Sequence, residues 1–163
     1  MTGPEQLRIR AMSAGDLDAV LALERASESA PHWAPMEYLG LLEPSAPGRL
    51  AALRRFAVVA DLGAGIAGFA VLRLLADPDG GEAELESLVV SGEWRGRGIG
   101  MALMRELLNL AKAQGAARVD LEVRASNRAA LSLYGRSGLL EIGRRRRYYR
   151  DPDEDAVLMR INL

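Results

Sequence analysis

Between the apolar run Leu88-Val89-Val90 and a helical repeat that begins at Ile99 lies the stretch Ser91 to Met101, S-G-E-W-R-G-R-G-I-G-M, and it constrains this chain more than any other segment. Glycine recurs at 96, 98 and 100, and apolar positions recur at helical spacing from Ile99 to Gln114. The order is strand, glycine turn, helix. Glycines let the backbone turn tightly and bring N–H groups close to a ligand without obstruction by Cβ atoms. With the positive end of a helix dipole behind them, those groups suit a phosphate or pyrophosphate.

The residues around the glycines exclude two common phosphate loops. Met101 follows Gly100 where G-x-x-x-x-G-K-[ST] requires Lys, and G-x-G-x-x-G fails because position 101 is not Gly. The pattern that fits is R-x-x-G-x-G, at Arg95, Gly98 and Gly100, directly after a strand ending in β-branched residues. It resembles the pyrophosphate loop of the GNAT acetyltransferases, the acetyl-coenzyme A (acetyl-CoA) dependent N-acetyltransferases.

Composition limits the chemistry available. With 163 residues, the chain forms a single domain, 1–163, able to bury roughly two-thirds of its unfolded surface. A net charge of -1 gives no reason to expect nucleic-acid binding. There is no cysteine, so no thiolate nucleophile or ligand, and a single His excludes a multi-histidine metal cluster. Carboxylates, hydroxyls, phenols and backbone must do the chemistry, with no metal. No apolar run approaches the roughly 18 residues that span a membrane, and the N-terminus lacks a signal-peptide core. The expectation is a cytoplasmic protein, a monomer or weak dimer.

Periodicity supplies the remaining elements. Leu7 to Arg10 alternates as a first strand, and a helix starts at Asp16 and fades from Ser27 to Pro31. After the rigid Pro31-His32-Trp33-Ala34-Pro35 loop comes a second helix, Met36 to Leu42, and then a turn-rich connection, Pro44 to Gly48. Phe56–Asp61, Ile66–Leu75 and Glu82–Val90 form a meander of three antiparallel strands. Beyond the long helix, Arg118–Val123 is a strand parallel to its predecessor, because a helix connects them. A helix from Arg128 to Ser137, capped by Ser126 or Asn127, precedes a second hairpin, Leu139–Tyr149 and Ala156–Asn162. The result is an α/β fold: a mixed, mostly antiparallel sheet of about seven strands flanked by four helices, with its only parallel pair at the glycine loop.

That order is also the layout of the GNAT fold. L-E-V-R-A-S-N at Leu121 to Asn127, then A-A-L-S-L-Y ending at Tyr134, resembles the ribosomal-protein-alanine N-acetyltransferases of the RimI type. The Ala30 to Trp33 loop and R-R-Y-Y at Arg146 to Tyr149 agree, whereas the segment Arg150 to Asp155 is shorter and more acidic than is usual there. The resemblance implies that Leu88, Val89 and Val90 offer backbone groups to the pantetheine arm of acetyl-CoA. It also implies that Arg95, Gly96, Arg97, Gly98, Ile99, Gly100 and Met101 hold the pyrophosphate, and that Asn127 contacts the cofactor. Glu122 is then the base and Tyr134 the acid, and His32, Trp33, Tyr148 and Tyr149 line a slot for a peptide.

Read without the family, several residues keep a second interpretation. Val119, Leu121 and Val123 point one way, so Glu122 points the other, either to solvent or, near the carboxyl end of a parallel strand, to a ligand. Asn127 and Tyr134 share a helix face about 10 Å apart. Glu84 and Glu86 share one face of the preceding strand and are alternative bases. Arg144 to Arg147 should send two side chains to each face. The expected activity is acetyl transfer from acetyl-CoA to a primary amine within a ternary complex, with the N-terminal α-amine of a protein, such as a ribosomal protein, as acceptor. A small-molecule amine or antibiotic acetyltransferase and a non-catalytic coenzyme A binding module are the alternatives.

Overall fold

A computed structural model describes residues 6–42 and 53–163 of the chain. The expected connection at Pro44 to Gly48 lies outside the described residues. Among those described are seven strands in one sheet: β1 (Arg8–Ala11), β2 (Leu53–Asp61), β3 (Ile66–Leu75), β4 (Gly81–Val90), β5 (Ala116–Arg124), β6 (Leu140–Tyr149) and β7 (Glu154–Asn162). Four helices flank it: α1 (Leu17–Ala26), α2 (Pro35–Gly40), α3 (Ile99–Ala113) and α4 (Arg128–Arg136). None of these helices is long and apolar enough to cross a membrane. The strand order is β1-β2-β3-β4-β5-β7-β6, and β4 with β5 is the parallel pair.

Alternation along the strands builds a separate core on each face. Leu103, Met104, Leu107 and Ala111 form one stripe of α3 and pack with Leu72, Leu74, Leu85, Val119 and Leu121. On the other face Val20 and Leu21 of α1 and Tyr38 of α2 meet Val59, Phe69, Val71 and Val89. Glu24 is also buried there, and its carboxylate accepts the Trp33 N–H at 2.5 Å, which ties the loop after α1 back to the helix.

Three irregularities in this sheet shape the site. First, Leu85 pairs with Leu72 and Ser87 with Val71, so Glu86 is an extra residue in β4. Before it, Leu85 faces α3; after it, Val89 faces α1. Second, the β4–β5 ladder runs from Gly81↔Ala116 to Glu84↔Asp120 and stops, while β5 remains paired with β7 up to Arg124. The carboxyl ends of the two parallel strands therefore splay apart. Third, regular alternation of Arg144 to Arg147 fails. Arg147 has φ 50° and its N–H donates to Asp155 Oδ1 at 3.0 Å, and pairing resumes only at Tyr149↔Glu154. The cause is the short turn between β6 and β7, which places a carboxylate where it captures an unpaired main-chain donor.

Candidate active site

The gap between β4 and β5 opens into a cleft of about 560 Å³ that reaches from the glycine loop on the α3 face to the end of α1 on the other. Its first wall is the end of β4. Ser91 N–H donates to Ala67 C=O, so the alternation of an antiparallel ladder gives Val89 to β3. The main-chain groups of Leu88 and Val90 then point into the gap, where Arg95 Nε already donates to Val90 C=O at 3.2 Å. Ser87, also on this wall, is buried and its hydroxyl has no hydrogen-bond partner.

The floor is the glycine loop. Gly98 is the residue before α3 and has φ 83°, a left-handed conformation that favours glycine. A Cβ at Gly96 or Gly98 would meet nothing within 4 Å, whereas one at Gly100 would come within 3.1 Å of Leu133. The three glycines thus have two jobs: 96 and 98 leave space in front of the loop, and 100 lets α3 approach α4. The first helical bond here runs from Ala102 N–H to Gly98 C=O, so the N–H groups preceding it are available to an anion at the start of a 15-residue helix. An uncrowded glycine turn, free main-chain groups on a splayed strand and an orphaned buried hydroxyl suit an elongated phosphate-bearing ligand such as acetyl-CoA.

The second wall comes from β5 and α4. Asn127 precedes α4, and its Oδ1 accepts the Ala130 N–H at 3.2 Å, leaving the side-chain amide N–H groups for a ligand. One further turn and more along the same helix, Tyr134 is buried in the cleft, and its phenol is pushed up to about 12 by burial, with Tyr149 beside it adding to the effect. It stays protonated throughout the physiological range. Glu122 lies on the wall below, with 26% of its side chain exposed and its carboxylate 3.4 Å from the Arg145 guanidinium. Tyr149 completes this side, with the Arg124 guanidinium 4.3 Å from its ring centre.

The cleft therefore brings together Leu88, Val89, Val90, Arg95, Gly96, Gly98, Ile99, Gly100, Met101, Glu122, Asn127, Tyr134 and Tyr149. Arg97 lies off it, stacked 4.7 Å over Trp94. His32 is exposed with φ 56°, and Trp33 packs against Tyr38 at 5.4 Å, so neither lines the cleft. Tyr148 also stands outside it, but the charge of Glu122 beside it raises its phenol above the ordinary range. Of the two alternative carboxylates, Glu84 pairs with Arg73 away from the cleft. Glu86 lines it and is gripped by Arg55 through two hydrogen bonds of 2.8 and 3.0 Å. Ser27, Ser29, Ser87, Leu133 and Arg136 are lining residues that sequence reasoning did not select.

Comparison with known proteins agrees with this architecture. The sequence profile of the Acetyltransferase (GNAT) family matches residues 19–139. A Bacillus subtilis protein, named as a candidate ribosomal protein bS18-alanine N-acetyltransferase, is 30% identical over 155 residues, 95% of each chain. The N-alpha-acetyltransferase RimI of Mycobacterium tuberculosis is 42% identical over 98 residues, a segment spanning 60% of each chain. Among solved structures, the ribosomal-protein-S18-alanine N-acetyltransferase of Escherichia coli superposes with a TM-score of 0.74 at 28% identity, covering 96% of this chain and 94% of that one. With the family profile matching from within α1 to the residue before β6, around a glycine loop and a splayed parallel pair, the chain belongs to the GNAT family of acetyl-CoA dependent N-acetyltransferases.

Proposed function

We propose that this protein acetylates the N-terminal α-amine of a protein, with a ribosomal protein beginning with a small residue such as alanine as the acceptor. The observation that carries the reading is the cleft itself, which passes through the sheet: the glycine loop opens on the α3 face, and Glu122, Ser27 and Ser29 stand toward the α1 face. A donor and an amine can then meet from opposite sides. The similarity to the Bacillus subtilis protein over nearly the whole chain supports the choice of acceptor. A cytoplasmic location belongs to the same reading.

Bound acetyl-CoA supplies an acetyl group activated as a thioester. The N–H groups from Gly96 to Met101 hold its pyrophosphate, the main chain of Leu88 and Val90 its pantetheine arm, and the Asn127 amide a further polar atom. The Val90 N–H is directed into the gap and polarises the acetyl carbonyl. Glu122 takes the proton from the incoming amine, through a water, and Tyr134 donates one to the departing sulfur. Glu122 suits the task better than Glu86, because two hydrogen bonds from Arg55 occupy the carboxylate oxygens of Glu86. Acceptor selectivity follows from amine basicity. An α-amine with a pKa of about 7.7 to 8.0 is roughly one-tenth neutral at pH 7, whereas a lysine near 10.4 is neutral to less than about one part in a thousand.

Two measurements address donor and acceptor separately. Gly98→Val places a branched side chain at φ 83° in the space before the loop, a backbone strain of about 1–2 kcal/mol besides the obstruction, so acetyl-CoA affinity should fall about tenfold or more in calorimetry. Unchanged affinity in a folded variant would remove the loop from the cofactor site. For the acceptor, a peptide beginning with alanine should turn over well ahead of a free polyamine; equal rates would favour the small-molecule alternative.

A further inference from the structure

We infer that Arg145 is a positioning residue for the proposed base, holding the Glu122 carboxylate in place with Tyr148 as its backstop. The inference rests on the reading of Glu122 given above. It begins with the irregularity in β6. Arg145 lies opposite Ala156 of β7, whose side chain is small, and its guanidinium reaches across to within 3.4 Å of Glu122 Oε1 on β5. In a regular strand Arg145 and Tyr148, three residues apart, would project from opposite faces. Here β6 carries three residues, 146 to 148, opposite the single Asp155, and this interruption, with Arg147 at φ 50° and its N–H held by Asp155, brings Tyr148 beside Arg145.

Two contacts follow from that rearrangement. The Arg145 guanidinium stands 5.4 Å from the centre of the Tyr148 ring, and the Tyr148 phenol feels the Glu122 charge most strongly of all its neighbours. Tyr148 and Tyr149 also meet edge to face, with ring centres 5.2 Å apart, which joins this assembly to the cleft wall. Glu122 is thereby flanked by a cation and a phenol. A carboxylate with a free choice of rotamers spends only part of its time directed at an amine. One restrained by a guanidinium stacked on a ring keeps its direction, and orientation of this kind is a recognised part of catalytic rate. The arrangement depends on the turn Arg150 to Asp153, because Asp155, just beyond it, fixes the bulge.

The test is a double-mutant cycle on kcat, with acetyl-CoA affinity measured alongside. Arg145→Gln should lower kcat about fivefold, the upper range for a partly exposed ion pair, and leave acetyl-CoA affinity unchanged. Arg145→Lys, which keeps the charge within reach of Glu122, should recover part of the loss. In a Glu122→Gln background Arg145→Gln should cost nothing further, since there is no charge left to hold. An Arg145→Gln enzyme with wild-type kcat, or one whose loss persists undiminished in the Glu122→Gln background, would overturn the positioning role alone. Wild-type kcat in Glu122→Gln itself would instead remove the base assignment, and the positioning role with it.

Discussion

Tyr134→Phe should lower kcat by about 10² to 10⁴-fold, the range in which general acid catalysis contributes, while acetyl-CoA affinity and folding remain close to wild type. The substitution deletes one hydroxyl and keeps the ring, and the ring is what packs in the core beside α3. The phenol is well suited to donate a proton because burial holds its pKa at about 12, so it remains protonated at every pH at which the enzyme would be assayed. For the same reason its loss should not be repaired by changing pH. Pre-steady-state measurement of acetyl transfer gives the answer directly. A variant with a wild-type transfer rate would leave the departing sulfur without a protein proton donor at this position.

Glu122→Gln should behave differently. It keeps the shape of the side chain and removes its charge, so kcat/KM for an α-amine acceptor should fall about 10²-fold near pH 7. Raising the pH toward 9 takes an amine of pKa about 7.7 to 8.0 from roughly one-tenth neutral to mostly neutral, so activity should rise up to about tenfold, a partial rescue of the loss. The contrast between the two variants separates a missing base, which alkali partly replaces, from a missing acid, which it does not. A Glu122→Gln enzyme unaffected from about pH 6 to 9, with Glu86→Gln inactive, would move the base to β4.

How much of this was legible in the sequence depended on whether a feature had a period. Ile66–Leu75 was readable to the residue, because an apolar run followed glycines at 63 and 65. The strand–loop–helix unit around Gly98 was readable because its left-handed turn needs glycine. The two bulges were not. Glu86 sits in a strand whose burial alternates without interruption from Gly81 to Val90, so nothing in the residue pattern marks the extra position. Arg147 adopts a positive φ with no glycine or asparagine to announce it, drawn there by Asp155 from the next strand.

The cleft walls show the same division. Asn127, Tyr134 and Glu122 were selected by motif and helical spacing, and they line one cleft. Ser27, Ser29 and Ser87 carry no motif, and only the third dimension brings the end of α1 beside the end of β4. Trp33 stood out in the sequence as an aromatic in a proline-flanked loop. Its ring packs instead against Tyr38, with the Arg55 guanidinium 5.8 Å from its centre, because Glu24 anchors its backbone toward the α1 core. A large aromatic serves a core and a binding slot equally well by composition, and only packing separates the two.

The central claim is that the cleft between β4 and β5 transfers acetyl from acetyl-CoA to an N-terminal α-amine. It is tested most directly by a single peptide that begins with alanine and carries one internal lysine, incubated with enzyme and acetyl-CoA near pH 7 and mapped by fragmentation mass spectrometry. The account predicts one acetyl group, on the alanine nitrogen, formed by the wild-type protein and lost in Tyr134→Phe. Acetyl on the lysine side chain, or no acetylated peptide while a free polyamine is consumed, would contradict it.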